Sequence, residues 1–240
     1  MSKSNLAVKE ELENVAVEDV IIINQNEQEN YRPSKDKEIR VNNNLSYLIM
    51  KKIVDIIAGI LGTILLVPLI AVVWFIRICL HENDGPLFFE QIRIGKNGKQ
   101  FRMYKFRTMV MEADEKLYRY LEENPEAKKE YKKYKKLKND PRITKLGNIL
   151  RKTSLDEFPQ FVNILKGEMS LVGPRPYLYR EKEDLGEYYY NSITKVKPGI
   201  TGYWQVNGRN DVDFEERAYM DTYYIERRGI VMDLSLIHIS

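Results

Sequence analysis

The feature that most constrains this chain is a run of 21 residues without a charged side chain, at positions 56–76 (IIAGILGTILLVPLIAVVWFI). A helix of about 20 apolar residues is long enough to cross the hydrocarbon core of a bilayer. A helix of this length inside a soluble protein normally carries a polar stripe, and this run has none. The sequence therefore predicts that residues 46–80 form a membrane-inserted helix.

The path of this helix is set by a proline and by the charges on either side. Pro68 lies near the middle and predicts a kink, because proline removes a helical hydrogen bond. Basic residues flank the run on both sides: Arg32, Lys35, Lys37, Arg40, Lys51 and Lys52 before it, and Arg77, Arg93, Lys96, Lys99, Arg102, Lys105 and Arg107 after it. Basic flanks favour the cytoplasmic side, which predicts a re-entrant helix hairpin turning at Pro68. A plain span with a proline kink is the alternative.

The rest of the chain divides into a leader and a soluble domain. Residues 1–45 are polar and are interpreted as a mobile leader. Residues 81–240 are predicted to form a cytoplasmic catalytic domain. Within it, residues 87–106 alternate apolar and charged side chains around Lys96-Asn97-Gly98, which predicts a β-hairpin.

Helical patterns dominate the soluble domain. Residues 110–138 are predicted to be a helical insertion, broken at Asn124-Pro125. Residues 154–167 place four apolar side chains on one helical face, and residues 211–229 are also helical in pattern. Residues 170–210 are rich in Gly and Pro and are interpreted as loops around short elements. The predicted fold class is α+β, a mostly helical, membrane-associated single domain.

Composition excludes several kinds of site. The single cysteine, Cys79, rules out an intramolecular disulfide and a cysteine-based zinc site. The chain has only two histidines, His81 and His238, which argues against a catalytic triad and against a histidine-rich metal site. A metal would therefore need oxygen ligands, which favours Mg²⁺ or Mn²⁺. The lysine-rich block 128–138 matches no nucleic-acid module, and we expect a solvated face or a contact with anionic lipid.

The adjacent carboxylates Asp156 and Glu157 are the first candidate for chemistry. Ser154-x-x-Glu157 is also a capping-box pattern, so a structural role is the competing interpretation. A helix that begins at Asp156 would place Pro159 in the first turn, where its missing N–H is harmless. In both cases the carboxylates lie at a helix N-terminus, which also favours phosphate.

Several basic residues could bind phosphate. Arg175 lies in the stiff loop Gly173-Pro174-Arg175-Pro176, and rigid guanidinium groups suit bidentate phosphate contacts. Lys105 and Arg107 follow the hairpin, and Arg151 precedes Asp156 by five residues. Residues 197–210 (KPGITGYWQVNGRN), which include Arg209, suggest a shaped binding loop. A solvent-exposed surface role is the alternative for Arg175, Lys105 and Arg107, and a packed surface loop with Trp204 in the core is the alternative for residues 197–210.

Taken in order, these stretches resemble a known family. The apolar run with its central proline is followed by DGPLFFEQIRIGKNGKQFRMYKFRTM, DPRITKLGNILRKTSLDEFPQFVNILKGEMSLVGPRP and KPGITGYWQVNGRN. This order resembles the bacterial sugar transferases that load polyprenyl phosphate with a sugar 1-phosphate, in particular their monotopic single-domain core. The resemblance covers about residues 47–230.

The resemblance implies a covalent mechanism at the inner face of the bacterial cell membrane. Asp156 would attack the β-phosphate of a UDP-sugar, and undecaprenyl phosphate would then accept the phosphosugar. Glu157 would help to hold Mg²⁺ or Mn²⁺. The resemblance also assigns phosphate contacts to basic residues at motif positions: Lys105, Arg151, Arg175 and Arg209. Arg107 is a further candidate because it lies at the hairpin exit. The apolar run would be a re-entrant helix hairpin that contacts membrane lipids.

The chain departs from the family pattern at its end. The last residues, DLSLIHIS, replace the apolar, Trp-containing stretch expected there, which predicts a truncated or foreign end. A catalytically impaired membrane adaptor of a glycan-assembly complex is therefore one alternative function. Another is a different lipid-phosphate transferase that uses a nucleotide-activated alcohol.

Overall fold

A long helix and a mostly helical domain make up the computed structural model, which describes residues 39–82, 84–134, 137–207 and 212–239. The long helix is α1 (Leu45–Cys79). The helices and strands that follow are, in chain order, β1 (Phe88–Ile94), β2 (Gln100–Phe106), α2 (Ala113–Glu123), α3 (Pro125–Tyr134), α4 (Lys145–Lys152), α5 (Gln160–Leu165), β3 (Ser170–Val172), α6 (Lys182–Ile193), β4 (Gly199–Thr201), α7 (Tyr203–Asn207), α8 (Phe214–Arg227) and α9 (Ile230–Ile239).

Helix α1 has 35 residues and runs without interruption through Pro68. At 1.5 Å per residue it is about 50 Å long. It begins where the side chain of Asn44 accepts a hydrogen bond from the backbone N–H of Ser46. Within the described residues, α1 is the one helix whose length and composition would allow it to cross a membrane. The predicted helix hairpin is not confirmed, because a single continuous helix occupies residues 45–79, and the kink at Pro68 stays a prediction.

One face of α1 packs against the domain along the whole helix. The buried residues recur at helical spacing and are Tyr47, Gly59, Gly62, Leu66, Val73 and Arg77. The opposite face exposes large apolar side chains, among them Ile57, Leu61, Ile64, Leu65, Trp74 and Phe75. A contiguous exposed apolar face of this size marks a surface that another apolar phase covers.

Both ends of α1 contact the same domain. Near its start, the Lys51 ammonium lies 2.7 Å from the carboxylate of Asp233 in α9. Near its end, Val73 is buried in a cluster with Phe106 of β2 and Leu146 of α4. In the middle, Gly62 lies so close to Phe161 of α5 that an added Cβ would come within 2.2 Å of its ring. Small residues therefore bring α1 and α5 into direct contact.

The predicted β-hairpin is confirmed. Strands β1 and β2 pair antiparallel, with Phe88 opposite Phe106 and Ile94 opposite Gln100. The connection uses Asn97 and Gly98, both with positive φ, as the turn pattern predicted. Strands β3 and β4 form a second, parallel pair. The mixed α+β class is therefore confirmed.

The helical predictions are confirmed in part. Helices α2 and α3 fill the predicted insertion and are separated at Asn124, as expected, and α8 lies within 211–229. Helix α6 was not predicted, since its segment was interpreted as loop. Gly186, with φ +69°, interrupts that helix and weakens its sequence pattern.

The core joins the two ends of the described chain. Its largest part surrounds α6 and α8 and includes Ile39, which precedes α1, and Leu236 in α9. The Arg228 guanidinium donates to the backbone oxygen of Asn42 over 2.9 Å. The end of the predicted leader is thus packed on the domain from residue 39 onward, and its residues 1–38 lie outside the described residues.

Candidate active site

The carboxylates Asp156 and Glu157 lie in a 3₁₀ turn, Leu155–Glu157, between α4 and α5. Ser154 has φ +57° and its side chain makes no capping hydrogen bond, so the capping-box interpretation is wrong. The predicted helix start at Asp156 is also wrong, because α5 begins at Gln160. Pro159 directly precedes that helix, where its missing N–H costs no helical bond. The local backbone therefore presents the carboxylates without using them as caps.

Strand β2 brings a cation to this turn. The Lys105 ammonium lies 2.5 Å from Oε1 of Glu157 and 4.0 Å from Oδ2 of Asp156. Asn163, which is fully buried in α5, holds the strand beside the turn. Its amide nitrogen donates to the oxygen of Arg102 over 2.7 Å, and its amide oxygen accepts from the N–H of Tyr104. The position of Lys105 is thus fixed by backbone contacts on the preceding residues.

The Asp156 carboxyl is buried among charges. Burial is the main cause that raises its pKa above the usual range of an aspartate. Lys105 opposes this rise, Glu157 adds to it, and Arg151 opposes it. The two cations therefore favour the ionised form in a site whose burial disfavours it. A carboxylate held in this way has little hydration to lose.

Arg151 approaches Asp156 from the last turn of α4. Its Nε donates to the hydroxyl of Thr108 over 2.8 Å. Burial lowers the pKa of Arg151, and the charge of Asp156 opposes that shift most strongly. In the part of the chain that the structure describes, the two terminal nitrogens of this guanidinium have no hydrogen-bond partner. They are therefore available to an anionic ligand.

Two other predicted phosphate-binding residues lie apart from this pair. Arg107 donates to the oxygen of Pro86 over 2.9 Å and covers the ring of Phe89. Arg175 lies over the rings of Tyr177 and Trp204, at 5.8 and 5.6 Å from their centroids. Neither is among the charges that act most strongly on the Asp156 carboxyl. Their phosphate contacts stay predictions, and Arg209 lies outside the described residues.

Arg93 links the carboxylates to the loop that carries Arg175. It donates to the oxygen of Pro176 over 2.9 Å and interacts with the charges of Arg175 and Glu157. Burial is the main cause that lowers its pKa to about 9. From its sequence position, this residue is only one of the basic flanks of the apolar run. The alternating pattern of β1 gave no signal that its side chain would be half-buried at this junction.

The donor set limits how a metal could bind. Among the described residues, no group of three or more His, Cys, Asp or Glu side chains could hold an ion. Mg²⁺ commonly binds through one or two carboxylates, with substrate phosphates and water completing the shell. Glu157 is partly exposed and has one oxygen that Lys105 does not bind, which fits a site of that kind.

Comparisons with known proteins match nearly all of the described chain. The sequence profile of the family described as Bacterial sugar transferase matches residues 46–239. The chain is 43% identical over 205 residues to the undecaprenyl-phosphate galactose phosphotransferase of Salmonella typhimurium, covering 83% of this chain and 42% of the relative. It is 40% identical over 189 residues to the exopolysaccharide production protein ExoY of Rhizobium meliloti, covering 78% and 81%.

The chain covers a similar share of a third relative as it does of the first. The UDP-glucose:undecaprenyl-phosphate glucose-1-phosphate transferase of Klebsiella pneumoniae is 38% identical over 201 residues, covering 80% of this chain and 39% of the relative. The chain thus spans about two fifths of the length of these two transferases and most of the length of ExoY. The profile match reaches residue 239 and includes α9, and the truncated or foreign end stays a prediction.

Proposed function

The chain belongs to the bacterial sugar transferase family, and on this premise we propose that it transfers a sugar 1-phosphate from a UDP-sugar to undecaprenyl phosphate. The names of the Salmonella and Klebsiella relatives support the lipid acceptor, and the Klebsiella name also supports a UDP-sugar donor. The observation that carries the proposal is the buried Asp156 carboxyl between Lys105 and Arg151. This reaction would be the first membrane step in the assembly of a bacterial glycan.

The reaction proceeds by two displacements at one phosphorus atom. A carboxylate oxygen of Asp156 attacks the β-phosphorus of the UDP-sugar, and the bond to the bridging oxygen breaks. UMP leaves with that electron pair, and a phosphosugar-aspartyl intermediate remains. An oxygen of undecaprenyl phosphate then attacks the same phosphorus, which forms the lipid diphosphate sugar and releases the carboxylate of Asp156.

The neighbouring cations match the charge that this reaction develops. Lys105 and Arg151 lie beside the attacking carboxylate and would stabilise the phosphate oxygens in the transition state. Glu157 would hold Mg²⁺ or Mn²⁺, which would neutralise the diphosphate and the leaving group. The contact between Lys105 and Glu157 keeps both side chains at the site before the substrate binds.

Helix α1 would keep the site at the membrane surface, where the lipid phosphate lies. Its apolar face suits insertion into lipid, and the packing of its start on α9 and of its end on β2 and α4 supports attachment from one side. The basic flanks predict that this side is the cytoplasmic face of the bacterial inner membrane. This placement brings a soluble UDP-sugar and a membrane-bound acceptor to one site.

UMP release tests the proposal. Purified protein is incubated with UDP-hexoses, undecaprenyl phosphate and Mg²⁺, and we expect UMP from at least one donor. Asp156→Asn should abolish release, while Asp184→Asn, at an exposed position in α6, should retain it. Full activity of Asp156→Asn would refute the covalent mechanism. Binding of a UDP-sugar without turnover would indicate the adaptor function, and turnover of another nucleotide donor would indicate a different transferase.

A further inference from the structure

We propose that Thr108 is a positioning residue that holds the guanidinium of Arg151 in the orientation required for phosphate binding. The inference rests on the proposed function, in which Arg151 binds phosphate oxygens beside Asp156. The Thr108 hydroxyl accepts a hydrogen bond from Nε of Arg151 over 2.8 Å. Thr108 is buried, with 6% of its surface exposed, so its hydroxyl is shielded from bulk water.

Hydrogen bonds fix the backbone around Thr108 and so hold its side-chain hydroxyl in place. The backbone oxygen of Thr108 accepts a hydrogen bond from the N–H of Thr144, the residue that caps α4, over 3.0 Å. The N–H of Val110 donates to the oxygen of Arg142, also over 3.0 Å. These contacts pair the segment after β2 with the segment before α4. The acceptor and the helix that carries Arg151 are therefore parts of one rigid unit.

Gly147 allows this close approach. A Cβ at position 147 would lie 2.1 Å from the backbone oxygen of Thr108, a distance that real Cβ atoms essentially never show. The first turn of α4 therefore lies directly on the Thr108 backbone. Arg151 follows one helical turn later, on the same side, because residues four apart share a helix face. The close packing at Gly147 therefore keeps the Thr108 hydroxyl within hydrogen-bonding distance of Arg151.

The atom that Thr108 binds explains its effect. A guanidinium has five N–H groups in a planar fork, and Nε carries one of them. When Nε is held by a neutral acceptor, the four N–H groups on the terminal nitrogens still face the ligand and can bind two phosphate oxygens. A neutral hydroxyl also leaves the charge of Arg151 available. A carboxylate in its place would have neutralised it.

Other charged groups around Arg151 would pull it away if the hydroxyl were absent. Asp156, Asp140 and Glu157 attract the guanidinium, and Arg142 repels it. Without the Thr108 acceptor, Arg151 would turn toward a carboxylate, and the one that attracts it most strongly is the proposed nucleophile, Asp156. Arg151 and Asp156 would then form an ion pair, and the substrate phosphate would have to separate it before the reaction. We therefore expect a slower reaction.

The test compares Thr108→Val, which removes the acceptor at nearly equal volume, with Thr108→Ser, which keeps it. Both are made in the full chain and assayed by UMP release, with kcat and KM measured for donor and acceptor. A hydrogen bond to a charged group contributes about 1.5–3 kcal/mol, so we expect Thr108→Val to lower kcat/KM by about ten- to a hundredfold. Thr108→Ser should remain within about threefold of the wild type.

A double-mutant cycle separates positioning from a general structural role. In an Arg151→Lys background, which lacks Nε and the fork, Thr108→Val should cause little further loss. An equal loss in both backgrounds would overturn the inference, and so would full activity of Thr108→Val beside an active wild type. If Thr108→Val does not fold, as judged by its melting temperature, Thr108→Ala takes its place. Absence of turnover in the wild type would instead refute the proposed function, and the inference with it.

Discussion

The buried ion pair between Lys51 and Asp233 gives the sharpest prediction about stability. Lys51 lies in α1 and its ammonium binds three groups: the Asp233 carboxylate at 2.7 Å, the oxygen of Val172 at 2.8 Å and the hydroxyl of Tyr224 at 3.3 Å. The side chains of the pair are only 13% and 11% exposed. Lys51→Met keeps the length of the side chain and its apolar stem but removes the charge.

The expected loss follows from the charge that remains. Breaking a buried pair by removing one partner costs about 3–5 kcal/mol, because the other charge stays buried without compensation. Asp233 would keep hydrogen bonds from the hydroxyls of Tyr47 and Tyr224, which places the loss near the lower end of this range. For a chain of 150–250 residues, each 1 kcal/mol shifts the melting temperature by about 2–4 °C. We therefore expect a decrease of about 6–12 °C for a loss near 3 kcal/mol.

The assay is thermal unfolding in detergent, followed by circular dichroism at one heating rate for all variants. Lys52→Met is the matched control, because Lys52 is the next residue in the same helix and is exposed. It should change the melting temperature by less than about 2 °C, as surface substitutions do. Lys51→Met with Asp233→Asn should recover part of the loss, since no uncompensated charge remains. Equal melting temperatures for Lys51→Met and Lys52→Met would refute the reasoning.

Three further predictions concern the site and its surroundings. Asp156→Asn should raise the melting temperature by a few degrees while abolishing UMP release, because burial raises the pKa of this carboxyl and the folded state disfavours its charge. Gly147→Ala should lower kcat by about a hundredfold, because the backbone oxygen of Thr108 must move by about 0.9 Å to reach a 3.0 Å contact with the new Cβ. Asn148→Ala, at the exposed neighbouring position, should leave kcat unchanged. Burial raises the pKa of Asp221 to about 7, above its unfolded value near 3.9, so its contribution to stability is present at low pH and is lost as the pH rises toward 7. Asp221→Asn should remove that part of the pH dependence of the melting temperature, and an unchanged profile would contradict the assignment.

Local patterns predicted the parts of the fold that local chemistry determines. The β-hairpin turn needs residues that accept positive φ, and Asn97-Gly98 supplies them. Pro125 restarts a helix after Asn124 because proline is favoured in a first helical turn. Helix α6 was missed because Gly186 breaks its periodicity and its aromatic residues fit no single pattern.

Contacts between distant residues could not be predicted from one sequence. Arg151 and Thr108 are 43 residues apart, and Asn163 and Arg102 are 61 apart. Nothing in the sequence around these four residues indicates which side chains will be in contact. The carboxylate pair was found because its two residues are adjacent, but its environment depends on β2 and α4. Lys51 and Asp55 lie within the predicted helix of residues 46–80, but nothing in the sequence indicated that they would bind Asp233 in α9 and Ser170 in β3.

The stripe of α1 that faces the domain has a consequence for how the protein is made. Lys51 finds its partner in α9, 182 residues later, and the Asp55 carboxylate is bound by Ser170, 115 residues later. At 5–20 residues per second, a ribosome needs about 10–40 s to reach Asp233 after Lys51. Until Ser170 and Asp233 have been made, Asp55 and Lys51, two of the four charged residues of α1, lack these partners. The nascent helix should therefore remain at the water–lipid boundary, and it can reach its final depth only after α9 has been synthesised.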